Sequence, residues 1–415
     1  MACFADGEIA TDDASESRRL PIPADAASAR RLALACVPAD FADWLDYAAI
    51  VALLVYGWGQ GPVTLALFAL ALSLPYVIVG PLLAVLVDRA PLRGVLFATN
   101  LGRALVTLAF AFSGDAGVLL GLVFLRGCID SAFTPARQAA IQATTPVALL
   151  GHAQGLHQAI NQTSKIAGPA IGGALLAFWP AQSVFLFNGA LSLLAAVIIL
   201  GIAVPERATD AEGMEPFATR LLAGLAEFRR SRRLLIALIF SASAYFSFFL
   251  YDALIALLAE GLGFDATAFG LSISASGLGG LLGALLAGRI AARHPMRSMA
   301  LAATVSGLVT STIALIAMLG FAVQLPAFLL VLGFIGGATA FMLVPYRTIV
   351  QAEAPADRIA RVFASGEAVI VTAMLSAPLI GSAIASRWGT PAAFLTGGVL
   401  LILLGGATLA STRRP

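Results

Sequence analysis

Two stretches of this chain, 209 residues apart, repeat one pattern inside long apolar runs. The first reads Gly168-Pro169-Ala170-Ile171-Gly172 and continues to Trp179, Phe185 and Gly189. The second reads Ala377-Pro378-Leu379-Ile380-Gly381 and continues to Trp388, Phe394 and Gly398 at the same offset. A repeat on this scale divides the chain into two similar halves, and its apolar setting puts both halves in a membrane. Proteins built this way place a substrate site between the halves and rock one half against the other. The pattern therefore predicts a transporter.

The composition is 60% hydrophobic and 12% charged, with 40 glycines, which describes a membrane protein rather than a soluble enzyme. A bilayer's hydrocarbon core takes about 20 apolar residues per helix. Twelve such runs fall near 33–56, 63–87, 94–112, 117–136, 151–178, 182–203, 234–258, 267–291, 296–319, 325–346, 360–385 and 391–410. The glycines suit close helix packing, because small residues let backbones approach where lipid offers no hydrophobic drive. Arginines gather in alternate connections, at Arg30 and Arg31, Arg89 and Arg93, Arg137, Arg229 to Arg233, Arg293 and Arg297, Arg358 and Arg361, and Arg413 and Arg414. The positive-inside rule then sets both termini in the cytoplasm. The expected organisation is a disordered cytoplasmic tail (1–32), a six-helix half (33–204), a cytoplasmic linker with an amphipathic helix (205–233), a second six-helix half (234–410) and a short cytoplasmic C-terminus (411–415). Cys3, Cys36 and Cys128 have no metal or disulfide spacing and read as inert thiols.

The run Gly80-Pro81-Leu82-Leu83-Ala84-Val85-Leu86-Val87-Asp88-Arg89-Ala90-Pro91-Leu92-Arg93 closes the second span and opens the third. It resembles the signature found there in the major facilitator superfamily, in the form carried by its drug:proton antiporters and siderophore (enterobactin-like) exporters. The acid and both flanking arginines match, while Ala84 replaces a usual glycine and Leu92 a commonly basic residue. Arg126-Gly127 and the end of the fourth span, Asp130 to Arg137, are similar to further family motifs. Ala167-Gly168-Pro169-Ala170-Ile171-Gly172-Gly173 resembles the fifth-span motif of proton-exchanging exporters. The resemblance covers residues 33–410. It implies an all-α fold of twelve transmembrane helices in two pseudo-symmetric six-helix halves, acting as a monomer without cofactor or metal. It also implies gating roles for Asp88, Arg89, Arg93, Arg126, Asp130, Gly168, Pro169 and Gly172. Physically, a carboxylate at Asp88 suits the free N–H groups of a helix start, and Gly168-Pro169 with Gly172 suits a kink and close packing between halves.

Ionisable groups at membrane depth are costly and mark function by default. The first span carries Asp40, Asp43 and Asp46, spread over one broad helix face. Asp43 lies about 18 Å of helix beyond Arg31, near the midplane. The repeat offset carries Asp43 onto Asp252 in the seventh span, and Gln158 onto Glu367 in the eleventh. Asp43, Asp252 and Glu367 are accordingly the candidate proton-coupling acids. Lys165, the chain's one lysine, shares a face of the fifth span with His157, Asn161 and Ser164. Asp46, Lys165, Asn161, Tyr47 and Tyr251 are the candidate cavity residues. Phe41, Trp44 and Tyr47 with the Tyr245–Tyr251 run offer an aromatic wall for an amphipathic substrate. Arg126 and Asp130, four apart, can pair within the fourth span. Two readings stand for the acids. They bind and release protons as the cavity opens to either side, or they form static pairs that fix helix register.

The expected function is proton-coupled export of a small amphipathic molecule (a drug, a siderophore or a lipid-like compound) by alternating access, from a bacterial inner membrane. Proton-coupled uptake and a non-transporting membrane sensor are the alternatives. Its partners would be the substrate, protons and the lipid bilayer, with no nucleic acid. No HExxH, no GxSxG and no phosphate-binding Gly-Lys-Ser/Thr loop occurs, which speaks against an enzyme or a nucleotide-driven pump.

Overall fold

The computed structural model describes residues 26–80, 82–83, 87, 90–146, 149–176, 178–202, 225–290, 294–354 and 359–411. Every regular element among them is helical. The first half comprises α1 (Ala26–Ala52, prolonged by a π-helical turn at Leu53–Gly57), α2 (Pro62–Ile78), α3 (Leu92–Phe110), α4 (Ala116–Thr144), α5 (Leu150–Leu176) and α6 (Ala181–Leu200). The second comprises α7 (Arg232–Asp252), the short α8 (Ile255–Gly261) that continues it, α9 (Ala266–Ile290), α10 (Pro295–Met318), α11 (Leu325–Glu353), α12 (Ile359–Trp388) and α13 (Thr390–Ser411). Of the expected linker helix, residues 225–230 are helical and 203–224 lie outside the described residues.

Eight of these helices, α4, α6, α7 and α9 to α13, are long and apolar enough to cross a membrane by composition. Apart from the short α8, the other four are informative. Helix α2 is shorter, at 17 residues, while α1, α3 and α5 are diluted by the polar side chains that build the candidate site: three aspartates, then Asn100 and Arg103, then His157, Asn161 and Lys165. Such helices stay in a membrane only when the polar face turns inward.

The two halves repeat their packing. Helix α1 lies on α5 and α6, α3 on α4 and α6, and α2 on α4; likewise α7 lies on α12 and α13, α10 on α11 and α13, and α9 on α11. The halves meet along α2 with α12 and along α5 with α9. Glycine sets that second seam. A Cβ at Gly270 would stand 2.5 Å from the Pro169 carbonyl and 2.8 Å from Gly173 Cα. Gly168 and Gly172, expected between the halves, instead pack α5 on α1 within one half, against Trp44 and Leu45. Gly173, one residue further on, is the glycine that faces the other half, since α5 presents one face to each neighbour.

The apolar core shows which way the molecule is open. At the end away from the N-terminal start of α1, one cluster spans both halves, joining Leu54, Phe110 and Phe185 to Tyr251, Phe328 and Phe394. There the Tyr56 hydroxyl donates to the Ala256 carbonyl across the halves at 3.3 Å. At the end that holds the start of α1 and the end of α13, the described core splits in two. One cluster, with Leu32, Leu96 and Phe133, belongs to the first half; the other, with Phe228, Leu234 and Tyr346, belongs to the second. Among the described residues the apolar core joins the halves at the far end and is divided between them at the end near the termini. That is the pattern expected of one of the two states that alternating access requires.

Gly270→Val should loosen the far-end seal. In a cysteine-free background with one cysteine at Ala256, labelling by an impermeant maleimide should rise several-fold. Unchanged labelling would show that the glycine seam does not hold the closure.

Candidate substrate and proton site

Three acids on three successive turns of α1 meet three arginines from its neighbours. Arg137 of α4 pairs with Asp40 at 2.6 Å. Arg103 of α3 reaches Asp43 and also Asp130 of α4, the latter at 2.8 Å. Arg126 of α4 reaches Asp43 at 2.6 Å, Asp46, and its own-helix neighbour Asp130 at 3.6 Å. The Thr107 hydroxyl donates to Asp46 at 3.1 Å and accepts from Arg126 at 2.6 Å. Phe133 lies between Arg103 and Arg137, its ring centroid 4.6 and 5.4 Å from the two guanidinium carbons. Asn188 of α6 fastens the same stretch of α1, donating to the Ala42 carbonyl at 2.7 Å.

Burial gives this network its weight. The Arg103 side chain is 1% exposed, Arg126 6%, Asp40 2% and Asp46 5%. Charges so deep are held by their partners, and deleting one partner of such a pair costs about 3–5 kcal/mol because the other is stranded. Asp43 differs. It bridges both arginines and yet stays 38% exposed, against 17% for Asp130 and Arg137, and is the most open member of the cluster. The cluster sets four carboxylates (Asp40, Asp43, Asp46 and Asp130) against three guanidiniums (Arg103, Arg126 and Arg137). It carries one negative charge more than it balances.

Among its described residues the second half has no such cluster. Helix α10 bears no charged residue after Arg297, and α11 bears only Arg347 and Glu353. Asp252, the repeat partner of Asp43, has no ion pair or hydrogen bond to another described residue. It lines a cavity of about 120 Å3 where the halves meet, with Tyr47 and Phe68 from one side and Phe249, Met374 and Pro378 from the other. Lys165 is a positive charge within electrostatic reach of Asp252, and its ammonium lies 5.2 Å from the centroid of the Trp44 ring. Asn161 and Lys165 are half-buried, while His157 and Ser164 on the same helix are buried. Glu367 stands apart, toward the end near the termini, within electrostatic reach of Tyr245 and Tyr346, which Arg347 also reaches. The three acids expected to couple protons thus occupy three separate environments.

Some expected positions move. Asp46, placed in the cavity by the sequence, is sealed beneath Arg126 and Thr107, because its turn of α1 faces α3 and α4. Tyr251 is fully buried against Phe394, ring centroids 4.7 Å apart. Of the aromatic wall, Tyr47 and Phe249 reach the cavity, and Trp44 packs edge-on against Tyr47. Arg93, expected beside Asp88, donates to the Leu200 carbonyl at the C-terminal end of α6, where the helix dipole favours a cation. Asp88 and Arg89 lie outside the described residues. Arg103 was missed altogether. Its signal was present, an arginine eleven residues into an apolar span that begins at Leu92, and such a residue demands an acid partner.

Two six-helix halves with matching helix pairing and a cavity where they meet are the architecture of membrane transporters. The Major Facilitator Superfamily family model matches residues 32–304 and 239–415, and the chain belongs to that family. The MFS-type transporter YfiS of Bacillus subtilis is 27% identical over 371 residues, covering 88% of this chain and 89% of that protein. Macrolide efflux protein A of Streptococcus pyogenes is 23% identical over 343 residues, covering 80% and 83%. Among solved structures, the nucleoside transporter NupG superposes with a TM-score of 0.70 at 14% identity, covering 92% of this chain and all of that one. A bacterial homologue of the human lysosomal transporter Spinster, in its inward-facing and unoccupied conformation, gives 0.69 at 13% identity, covering 93% and 97%. These two likenesses speak to the fold.

Arg126→Met should strand Asp46 and lower stability by about 3–5 kcal/mol, read as a fall in thermal midpoint in detergent. Adding Asp46→Leu to the same chain should recover much of the loss. A lone Arg126→Met with an unchanged midpoint would mean that the network contributes nothing to folding.

Proposed function

We propose that this transporter exports a small amphipathic molecule in exchange for protons. The carrying observation is the uneven charge count of the α1–α3–α4 cluster, in which Asp43 is the most exposed carboxylate. A surplus carboxylate in a low-dielectric site is completed by a proton. Loading that proton changes how tightly α1 is tied to α3 and α4. The proton therefore acts as a ligand that biases the equilibrium between the two arrangements of the halves. Asp252, with no ion pair to another described residue and walled by Tyr47, Phe68 and Phe249, is the polar anchor for the substrate. At about 120 Å3 that cavity is smaller than the 300–1,000 Å3 of a drug-sized site, so the substrate enters as the halves part.

Direction rests on the relatives. Besides macrolide efflux protein A, similar proteins include a multi-drug resistance efflux pump PmrA homologue of Lactococcus lactis and the tetracenomycin C resistance and export protein of Streptomyces glaucescens. Arginines cluster at the end that carries the termini, with Arg387 at the other. By the positive-inside rule that end is cytoplasmic, which makes the described state open inward, in the cytoplasmic membrane of a bacterium.

The test is proton flux in liposomes under an imposed pH gradient, with macrolides and other amphiphiles as candidate substrates. Wild type should show substrate-dependent proton movement. Asp43→Asn should abolish it while leaving downhill substrate movement, and Asp252→Asn should raise the substrate concentration needed for half-maximal flux. Glu367→Gln separates the remaining acid. Proton flux undiminished in Asp43→Asn would remove the cluster from the coupling.

A further inference from the structure

On the lipid-facing side of the second half, α9, α10 and α11 enclose a groove of about 1,480 Å3, well above the range of a drug-sized pocket. Its origin is a glycine seam. Gly279 and Gly283 of α9 meet the backbone at Gly333 and Gly337 of α11 so closely that no Cβ fits. Helices that touch backbone to backbone leave no side chains to fill the flank beside them. The walls are mainly leucines and valines, with Leu282, Leu286, Ile290 and Leu301 each about half exposed or more.

The two ends of the groove differ. At the far end it is bounded by Pro326, Leu329 and Leu330, all apolar. At the end near the termini it is bounded by His294, Arg297 and Ser298 on the first turn of α10. Arg297 has no ion-pair partner among the described residues, and no acid lines the groove. A broad apolar groove ending in a guanidinium unpaired among the described residues, a hydroxyl and an imidazole suits a long acyl chain attached to an anionic headgroup. We propose that this groove is a binding site for an anionic phospholipid, its acyl chain along the glycine seam and its phosphate on Arg297, with His294 and Ser298 as further donors. The site lies on the outer face of one half, distinct from the cavity at Asp252 between the halves.

Native mass spectrometry of the purified, delipidated protein, titrated with phosphatidylglycerol or phosphatidylcholine of the same acyl chains, tests this directly. Phosphatidylglycerol should be retained preferentially by wild type. Arg297→Gln should cut that preference roughly fivefold, the worth of one cation at an anionic headgroup. Leu286→Trp, which fills the groove and leaves the charge, should cut retention of both lipids. Lipid-free thermal midpoints equal to wild type would show that both variants fold. Equal retention of the two lipids, retention unaffected by either variant, or occupation of the face by a second copy of the chain would each overturn the assignment.

Discussion

The buried charge network between α1, α3 and α4 constrains everything else in this molecule. Three arginines and four aspartates at membrane depth are tolerable only if α1, α3 and α4 hold one relative position. That requirement makes the first half a rigid block. It explains why α1 and α3 are too polar to pass as membrane helices by composition alone. The second half, with no comparable network, is held by glycine seams and aromatic packing, such as Gly283 on Gly337 and Tyr251 on Phe394.

This division of labour gives the repeat a physical meaning. The two halves share helix pairing and differ in chemistry. Asp43 and Asp252 are related by the sequence repeat. One is tied to two guanidiniums, while the other lines a cavity with no ion pair to another described residue and with Lys165 within electrostatic reach. Under the proposed exchange, charge storage lies in one half and the substrate contact in the other. Lys165 and Trp44 sit on the first half and Asp252 on the second, so rocking must change the field that each feels.

Much of the fold was legible in the sequence, because its signals are local. Apolar runs gave the crossings, and the Gly-Pro repeat gave the halves. The acids of α1 announced a polar face. What the sequence withheld was rotation. Helical spacing places Asp40, Asp43 and Asp46 on one broad face, and packing alone decides that Asp46 points to Thr107 and Arg126 rather than to the cavity. The same holds for Tyr251, turned onto Phe394, and for Gly173 rather than Gly172 at the seam between halves. Arg103 is the opposite case. Its position within an apolar span was readable, and with it the network's third cation would have been counted.

The central claim is that this cluster carries one carboxylate beyond its cations and that a proton completes it. Acid-minus-alkaline infrared difference spectra of the membrane-reconstituted protein report protonated carboxyls directly, without a known substrate. The account predicts a buried carboxyl band that appears on acidification in wild type and is absent from Asp43→Asn. A band that persists unchanged in Asp43→Asn and vanishes in Asp252→Asn would contradict it, moving proton storage out of the cluster and into the second half.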